Sequence, residues 1–429
     1  MISTLKSKLP QRGGFVYSVL VLMTGTSISQ AMTIAILPIL TRIYAPTDFG
    51  VFALFVSITS ILSVIITGRY ELAIMLPKEE EDSINIFVLS ILIAFGLSLL
   101  SLLVVSIFND RLTTLLGNQE ISKWLYFVPL SIFFVGIYQS LNYWSIRKKQ
   151  FRIVSVANIS KSAGAAAISI PLGFLKLGSA GLIVGDIVGR GAAASVLGYQ
   201  AWRRDKHTVV FISKEKIMEN AKKYKHLPRY STVSSFLNTL SNQTPIFLLT
   251  SFFSASITGF YSFGHRIVTV PMGLLSRSVS SVFYERASKA YTEKRDLYGL
   301  VKNAYLKLAQ IGIVPFVLLF MFAPNLFAII FGSEWREAGM YTQILIPWLF
   351  IVFLTSPLTP VITILGKLGE YVIFEILLFL SRVLSIALGF YVFDSPVVSI
   401  VLFSSVGIVF NVFLLFYLLH ISNKAYAKN

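Results

Sequence analysis

Residues 41–77 read TRIYAPTDFGVFALFVSITSILSVIITGRYELAIMLP, and this stretch decides the fold. It opens in a short polar turn over 42–48 and runs apolar and uncharged over 49–68. It then meets the cluster Arg69-Tyr70-Glu71, a second apolar piece and Pro77. A run of about 20 apolar residues is the length a helix needs to cross the hydrocarbon core of a bilayer. The repeating unit is therefore an outer turn, a span and a charged inner end.

Composition extends that reading to the whole chain. Its 429 residues are 55% hydrophobic and 13% charged, with a mean hydropathy of +0.74. A soluble domain is about half apolar but about a quarter charged. The charge deficit and high hydropathy fit a polytopic membrane protein. There is no cysteine, which excludes a disulfide framework and any cysteine-based metal or redox site. The formal net charge of +17 reads as an excess in cytoplasmic loops, not as a nucleic-acid-binding face. A basic N-terminus with Lys6, Lys8 and Arg12 precedes a first apolar run near 15–40. That run is too long for the core of a secretory signal and lacks a small-residue cleavage site, so it is expected to be a retained span.

Spans are expected near 15–40, 48–68, 84–108, 124–146, 153–175, 179–200, 230–253, 257–283, 304–330, 340–365, 370–393 and 396–421. The fold class is thus all-α and polytopic, with twelve transmembrane helices in two six-helix lobes. The last two spans are separated only by Asp394, Ser395 and Pro396. Of the 37 Lys and Arg, 26 fall on one side of this alternation and five on the other: Arg42, Arg111, Lys123, Lys176 and Arg336. That bias places both termini in the cytoplasm. The division is a lobe at 1–202, a basic cytoplasmic linker at 203–229 and a second lobe at 230–429. The linker reads equally as a helix on the anionic inner leaflet or as a solvated tether, and no binding role is assigned to it.

The halves are weakly related. A shift of 209 residues lays residues 38–41 on 247–250 and residues 49–54 on 258–263, and pairs Ser29 with Asn238. With six spans on each side this suggests duplication as parallel repeats, and a cavity between lobes of the kind secondary transporters use.

Polar groups within spans are costly in hydrocarbon and normally face a bundle interior or a wet cavity. The charged ones are Lys161, Asp186, Arg190, Arg266, Arg277, Lys307, Glu375 and Arg382, with His265 beside Arg266. Lys307 lies close enough to a span end to snorkel. Asp186 and Arg190 are four apart on one face, among Gly181, Gly185 and Gly189, so a local pair in a close helix packing is the favoured reading. Arg266 and Arg277 share a face three turns apart, and Glu375 and Arg382 share one two turns apart. Arg266 and Arg382, with Arg277 and Lys161 as weaker members, form a cationic set suited to a phosphate or pyrophosphate. The competing reading, snorkelled or locally paired charges, stays open for each. Asn238, Asn242 and Gln243, opposite Thr26, Ser29 and Gln30 of the first half, suit sugar hydroxyls or helix–helix contacts. No Walker, GxSxG or HExxH sequence appears, so no nucleotide site, cofactor or metal is expected.

The turn TRIYAPTDFGVFAL followed by ITGRYELAIMLP resembles the start of bacterial polysaccharide biosynthesis flippases of the O-antigen type. These belong to the multidrug/oligosaccharidyl-lipid/polysaccharide exporter superfamily. Arg69, Tyr70 and Glu71 open the most specific piece, and the likeness extends over the whole chain in length, span count and halfway loop. Membership implies flipping of an undecaprenyl-pyrophosphate-linked oligosaccharide, such as an O-antigen repeat unit of lipopolysaccharide, by alternating access. It implies residence in the bacterial cell inner membrane, contact with the bilayer and contact with glycan polymerase machinery. Glu375 and Asp186, the mid-span carboxylates, are then the candidates for proton or Na⁺ coupling. A cation-coupled multidrug exporter of the same superfamily is the alternative. It is disfavoured because residues 15–40 carry no carboxylate and the mid-span charges are mainly basic. A membrane enzyme such as a glycan polymerase would need larger outer loops than 109–123, the longest expected here.

Overall fold

A computed structural model describes residues 15–225, 228 and 232–427 of the chain. Lys6, Lys8 and Arg12 of the basic N-terminus, and His226 and Arg229 at the end of the basic linker, lie outside the described residues. Within them the protein is all-helical, with no strand. The first half holds α1 (Phe15–Ile43), α2 (Pro46–Ile65), α3 (Glu80–Leu116), α4 (Ile121–Leu125), α5 (Val128–Arg147), α6 (Phe151–Phe174) and α7 (Ser179–Asp205). The basic loop carries α8 (Lys214–Lys223). There follow α9 (Thr232–Phe252), α10 (Ala255–Thr292), α11 (Leu297–Phe331), α12 (Arg336–Thr355), α13 (Pro360–Ile364), α14 (Leu368–Tyr391) and α15 (Pro396–Ala427).

Eleven helical segments among the described residues are long and apolar enough to cross a bilayer, making this a multi-pass membrane protein. The segment expected as the seventh span does form a helix, the 21-residue α9, but it is not among those eleven. It carries no charge. Its side-chain amides Asn238, Asn242 and Gln243 are what lower its apolarity.

Several helices outrun their expected spans, because a helix need not stop where the hydrocarbon does. α3 begins at Glu80, with Glu81 and Asp82 in its first turn, where carboxylates offset the positive end of the helix dipole. The expected tenth span breaks after Thr355 into a short 3₁₀ turn and α13, at Pro357 and Pro360. Proline removes the amide donor a continuous helix would use. Asp394, at φ 45°, lies in the short turn between α14 and α15.

The chain divides into two compact units. One gathers the residues up to 44 with 54–240; the other gathers 45–53 with those from 241 onward. In the first unit, α6 and α7 pack closely along the small-residue stripe. A Cβ on Gly189 would come within 2.5 Å of the Lys161 carbonyl oxygen, and one on Gly185 within 2.1 Å of Ser169 Oγ. The Ser29 hydroxyl donates to the Asn158 carbonyl at 2.8 Å and lies 2.7 Å from Ser162 Oγ. Ser29 thus joins α1 to α6, the commoner use of a lone hydroxyl between membrane helices. In the second unit the core is built from α10, α11, α12, α15 and the 3₁₀ turn with α13 between them, around Val301, Phe353, Leu358, Val361 and Leu418.

The tightest feature of the second unit is where the first turns of α2 and α10 meet. A Cβ on Gly50 would lie 1.8 Å from the Ala255 carbonyl oxygen, and one on Gly259 would lie 2.0 Å from that of Pro46. Only hydrogen fits at either place. The 209-residue shift pairs Pro46 with Ala255 and Gly50 with Gly259, so each glycine faces the carbonyl four residues before the other. Beside this contact Phe49 meets Phe263 and Trp335 edge-on, with ring centroids 5.5 and 4.9 Å apart.

Gly50→Ala and Gly259→Ala must each push two backbones apart. Each should cost about 1–3 kcal/mol or more, read as lower thermal stability in detergent. Ala at Gly273, inside α10 where nothing lies within 4 Å of an added Cβ, serves as the control and should not lower stability, raising it by up to about 1 kcal/mol.

Candidate functional site

Arg382 is the charge that the second unit encloses most completely. α14 places it two turns after Glu375 on one face, and it is 5% exposed. Its Nη1 donates to Ser241 Oγ at 3.4 Å, and its Nε has no hydrogen-bond partner. The guanidinium carbon lies 5.1 Å from the Trp348 ring centroid and 5.3 Å from that of Phe403. A cation held over aromatic faces gains roughly 0.5–2 kcal/mol, more when water is excluded. Tyr261, His265 and Trp348 form a stacked column beside it, with centroids 5.8 and 6.0 Å apart. Glu375 interacts with Arg382 and with Tyr371, one turn earlier on α14. Among the described residues no carboxylate closes an ion pair with Arg382.

The other expected cations are placed differently. Arg266 and Arg277 are both on α10, and both side chains are exposed. Asn242, on α9, is exposed, while Ser241 beside it is buried against Arg382. In the first unit Lys161 on α6 and Asn238 on α9 are exposed. Arg190 Nε donates to Asp186 Oδ2 at 2.6 Å, so that carboxylate is paired within its own helix. The structure therefore brings Glu375 and Arg382 together and joins Asp186 to Arg190.

Most of what surrounds Arg382 carries no mark in the sequence. His265 was noticeable as a span histidine, but Tyr261, Trp348, Phe403 and Ser241 come from α10, α12, α15 and α9 with no local signal. Ser241 lies 141 residues from its partner.

The 69–77 piece is a compact structure in the first unit. Gly68 and Arg69 both take left-handed backbone angles, φ 58° and 62°. Glycine does so without penalty, whereas an L residue such as Arg pays about 1–2 kcal/mol. A 3₁₀ turn, Tyr70–Met75, follows. Tyr70, Ala73 and Ile74 pack against Ile84, Ile86, Trp144 and Tyr224. The turn's carbonyls are collected by Arg147 at the end of α5. Its Nη1 donates to Pro77 at 2.7 Å and Ile74 at 3.3 Å, and its Nη2 to Lys78 at 3.2 Å and Glu79 at 3.3 Å. Glu71 is 2% exposed, accepts from the Thr67 hydroxyl, and lies 3.6 Å from Arg69 Nη1. Burial pushes its carboxyl above the ordinary value, while the Thr67 bond and the Arg69 charge pull it back.

A family model described as "polysaccharide biosynthesis protein" matches residues 39–339, which is more than half of the chain. The succinoglycan biosynthesis transport protein ExoT of Rhizobium meliloti (strain 1021) is 25% identical over 312 residues, covering 70% of this chain and 59% of its own length. The chain thus spans under two thirds of that relative. Among solved structures, an inward-facing multidrug resistance MATE family transporter of the MOP superfamily superposes with TM-score 0.71 at 13% identity, covering 94% of this chain and 95% of its own. The lipid II flippase MurJ, in an inward closed conformation, superposes with TM-score 0.67 at 14% identity, covering 93% of this chain and 87% of its own. At such identities the likeness is one of fold.

Arg147→Ala releases four turn carbonyls from one charged donor. It should lower stability by about 2 kcal/mol, the scale of hydrogen bonds to a charged group, with Arg147→Lys recovering only part because it cannot fork across them. Thermal unfolding of the purified protein measures this.

Proposed function

We propose, from the premise that this chain belongs to the polysaccharide biosynthesis protein family, that it flips an undecaprenyl-pyrophosphate-linked oligosaccharide across a bacterial inner membrane. The carrying observation is Arg382: a guanidinium enclosed by aromatic rings, lacking an acidic ion-pair partner, with a donor left over. A charge kept in such a place at such cost is ordinarily functional, and a passing pyrophosphate is the acceptor it lacks. Arg266 and Arg277 on α10 add exposed positive charge in the second unit, and Lys161 on α6 does so in the first; each is a further candidate to meet a phosphate headgroup. Asn238 and Asn242 offer amides to sugar hydroxyls.

In this reading the chain has two six-helix halves at 1–202 and 230–429, linked by 203–229, with α9 as the twelfth crossing. The lysine and arginine bias of the loops supports cytoplasmic termini. The cycle is alternating access coupled to a proton or Na⁺, with Glu375 the better candidate because Asp186 is already paired to Arg190. The protein works alongside glycan polymerase machinery and is itself no enzyme. The curated relative and both solved structures named above are described as transporters or a flippase. A multidrug exporter of organic cations suits the chain less well, since α1 carries no carboxylate.

Arg382→Ala and Arg266→Ala should leave the protein inserted in the membrane, by immunoblot of the membrane fraction, yet stop surface glycan production. Normal surface glycan in both variants would remove the arginines from the pathway.

A further inference from the structure

Arg69, Tyr70 and Glu71 hold more than their own turn together. Arg69 Nη2 donates to Ser235 Oγ at 3.1 Å, at the start of α9. The Tyr70 hydroxyl donates to the Ala221 carbonyl at 2.9 Å, on α8. Two adjacent residues thus tie the turn after α2 to the helices on either side of the basic loop's end. Arg69 makes its connection from a left-handed backbone, a conformation that persists only where surrounding contacts hold it. One such contact is Glu71, whose Oε1 is 3.6 Å from the other guanidinium nitrogen.

At this end of the first unit Asp205 is also buried, but it accepts from the Trp144 indole and lies 4.0 Å from Lys148; Glu71 differs more from Glu80 and Asp82. Glu80 pairs with Lys148 and lies 3.9 Å from His207 Nε2. Asp82 faces Lys216 at 3.8 Å and accepts from Asn220. Those groups are partly exposed and met by lysines. Glu71 is buried, with Arg69 beside it, Thr67 donating to it, and Tyr143 of α5 close enough to feel its charge. Arg147, also on α5, is committed to the carbonyls of the turn. Burial outweighs the three contacts that favour the anion, namely the Thr67 hydroxyl, its own backbone N–H and the Arg69 charge, so this carboxyl takes up a proton at a higher pH than an ordinary glutamate.

We propose that Glu71 works a proton-responsive latch on the end of the basic loop. As a carboxylate it holds Arg69 on Ser235; when a proton adds to a carboxylate oxygen, the attraction is lost and Arg69 lets go of α9. The latch is closed toward alkaline pH and opens on acidification, before ordinary glutamates titrate. This gives the most specific piece of the chain a task of its own and holds whatever the cargo is.

The absence of native cysteine makes the test direct. Spin labels on Lys78→Cys and Leu237→Cys, both exposed positions of the first unit, report the distance between the turn and α9. The full chain in lipid nanodiscs would be followed by pulsed dipolar spectroscopy from about pH 8 to about pH 5, spanning the interval above the ordinary glutamate value. We expect one narrow distance population at the alkaline end and a second, longer one growing in as pH falls. Glu71→Gln should show the longer population at every pH. Ser235→Ala should do the same, and it decides the matter if Glu71→Gln does not fold. A distance distribution that ignores pH in the chain with Glu71 and Ser235 intact, or one that keeps its pH dependence in either variant, overturns the latch.

Discussion

Where the first turn of α2 meets the first turn of α10, two backbones touch with only hydrogen atoms between them. Gly50 lies against the Ala255 carbonyl and Gly259 against that of Pro46. Between membrane helices there is little hydrophobic drive, because lipid is as apolar as a leucine side chain. Close packing and backbone approach supply the attraction instead. The same logic sets the α6–α7 contact along Gly185 and Gly189. Its reciprocity is what a two-fold relation between residues 46–50 and 255–259 requires. That relation is the physical counterpart of a sequence shift that by itself rests on few identities.

With the scaffold held by small residues and aromatic rings, polar groups in the spans become informative. Most of them are used up: Ser29 and Ser162 join α1 to α6, Asp186 neutralises Arg190, and Thr250 lies 2.9 Å from Thr258. Arg382 stands apart. Its support comes from two aromatic faces, one long hydrogen bond and the charge of Glu375 two turns away, with no ion pair closed. Enclosing a charge without a closed ion pair is costly, and such residues inside membrane helices are ordinarily retained for function.

The helices were legible because apolar runs of bilayer length, alternating with basic loops, leave little ambiguity. Helix ends were not. α3 continues to Leu116 and α10 to Thr292, since polar residues continue a helix beyond the hydrocarbon as readily as apolar ones. The break at Pro357 and Pro360 was written in the prolines, but a run of about 20 apolar residues masked it. At the site, the Glu375–Arg382 register was legible from spacing along one helix. Its neighbours were not, since Ser241, Tyr261, Trp348 and Phe403 meet only once four other helices have packed. The 69–77 piece was recognisable as a pattern yet mute about mechanism, since neither the left-handed Arg69 nor the collecting role of Arg147 follows from residue type.

The central proposal is the passage of a lipid-borne diphosphate through this chain. The most direct measurement is flipping in proteoliposomes containing the purified chain. A fluorescent sugar on a short polyprenyl pyrophosphate would be placed in one leaflet, and a soluble quencher would report its arrival in the other. Transfer of the pyrophosphate-linked lipid should run well above that in protein-free vesicles, with none for the same sugar on a neutral polyprenyl ether. Equal transfer of both lipids, or of neither while organic cations are exported, would contradict the proposal.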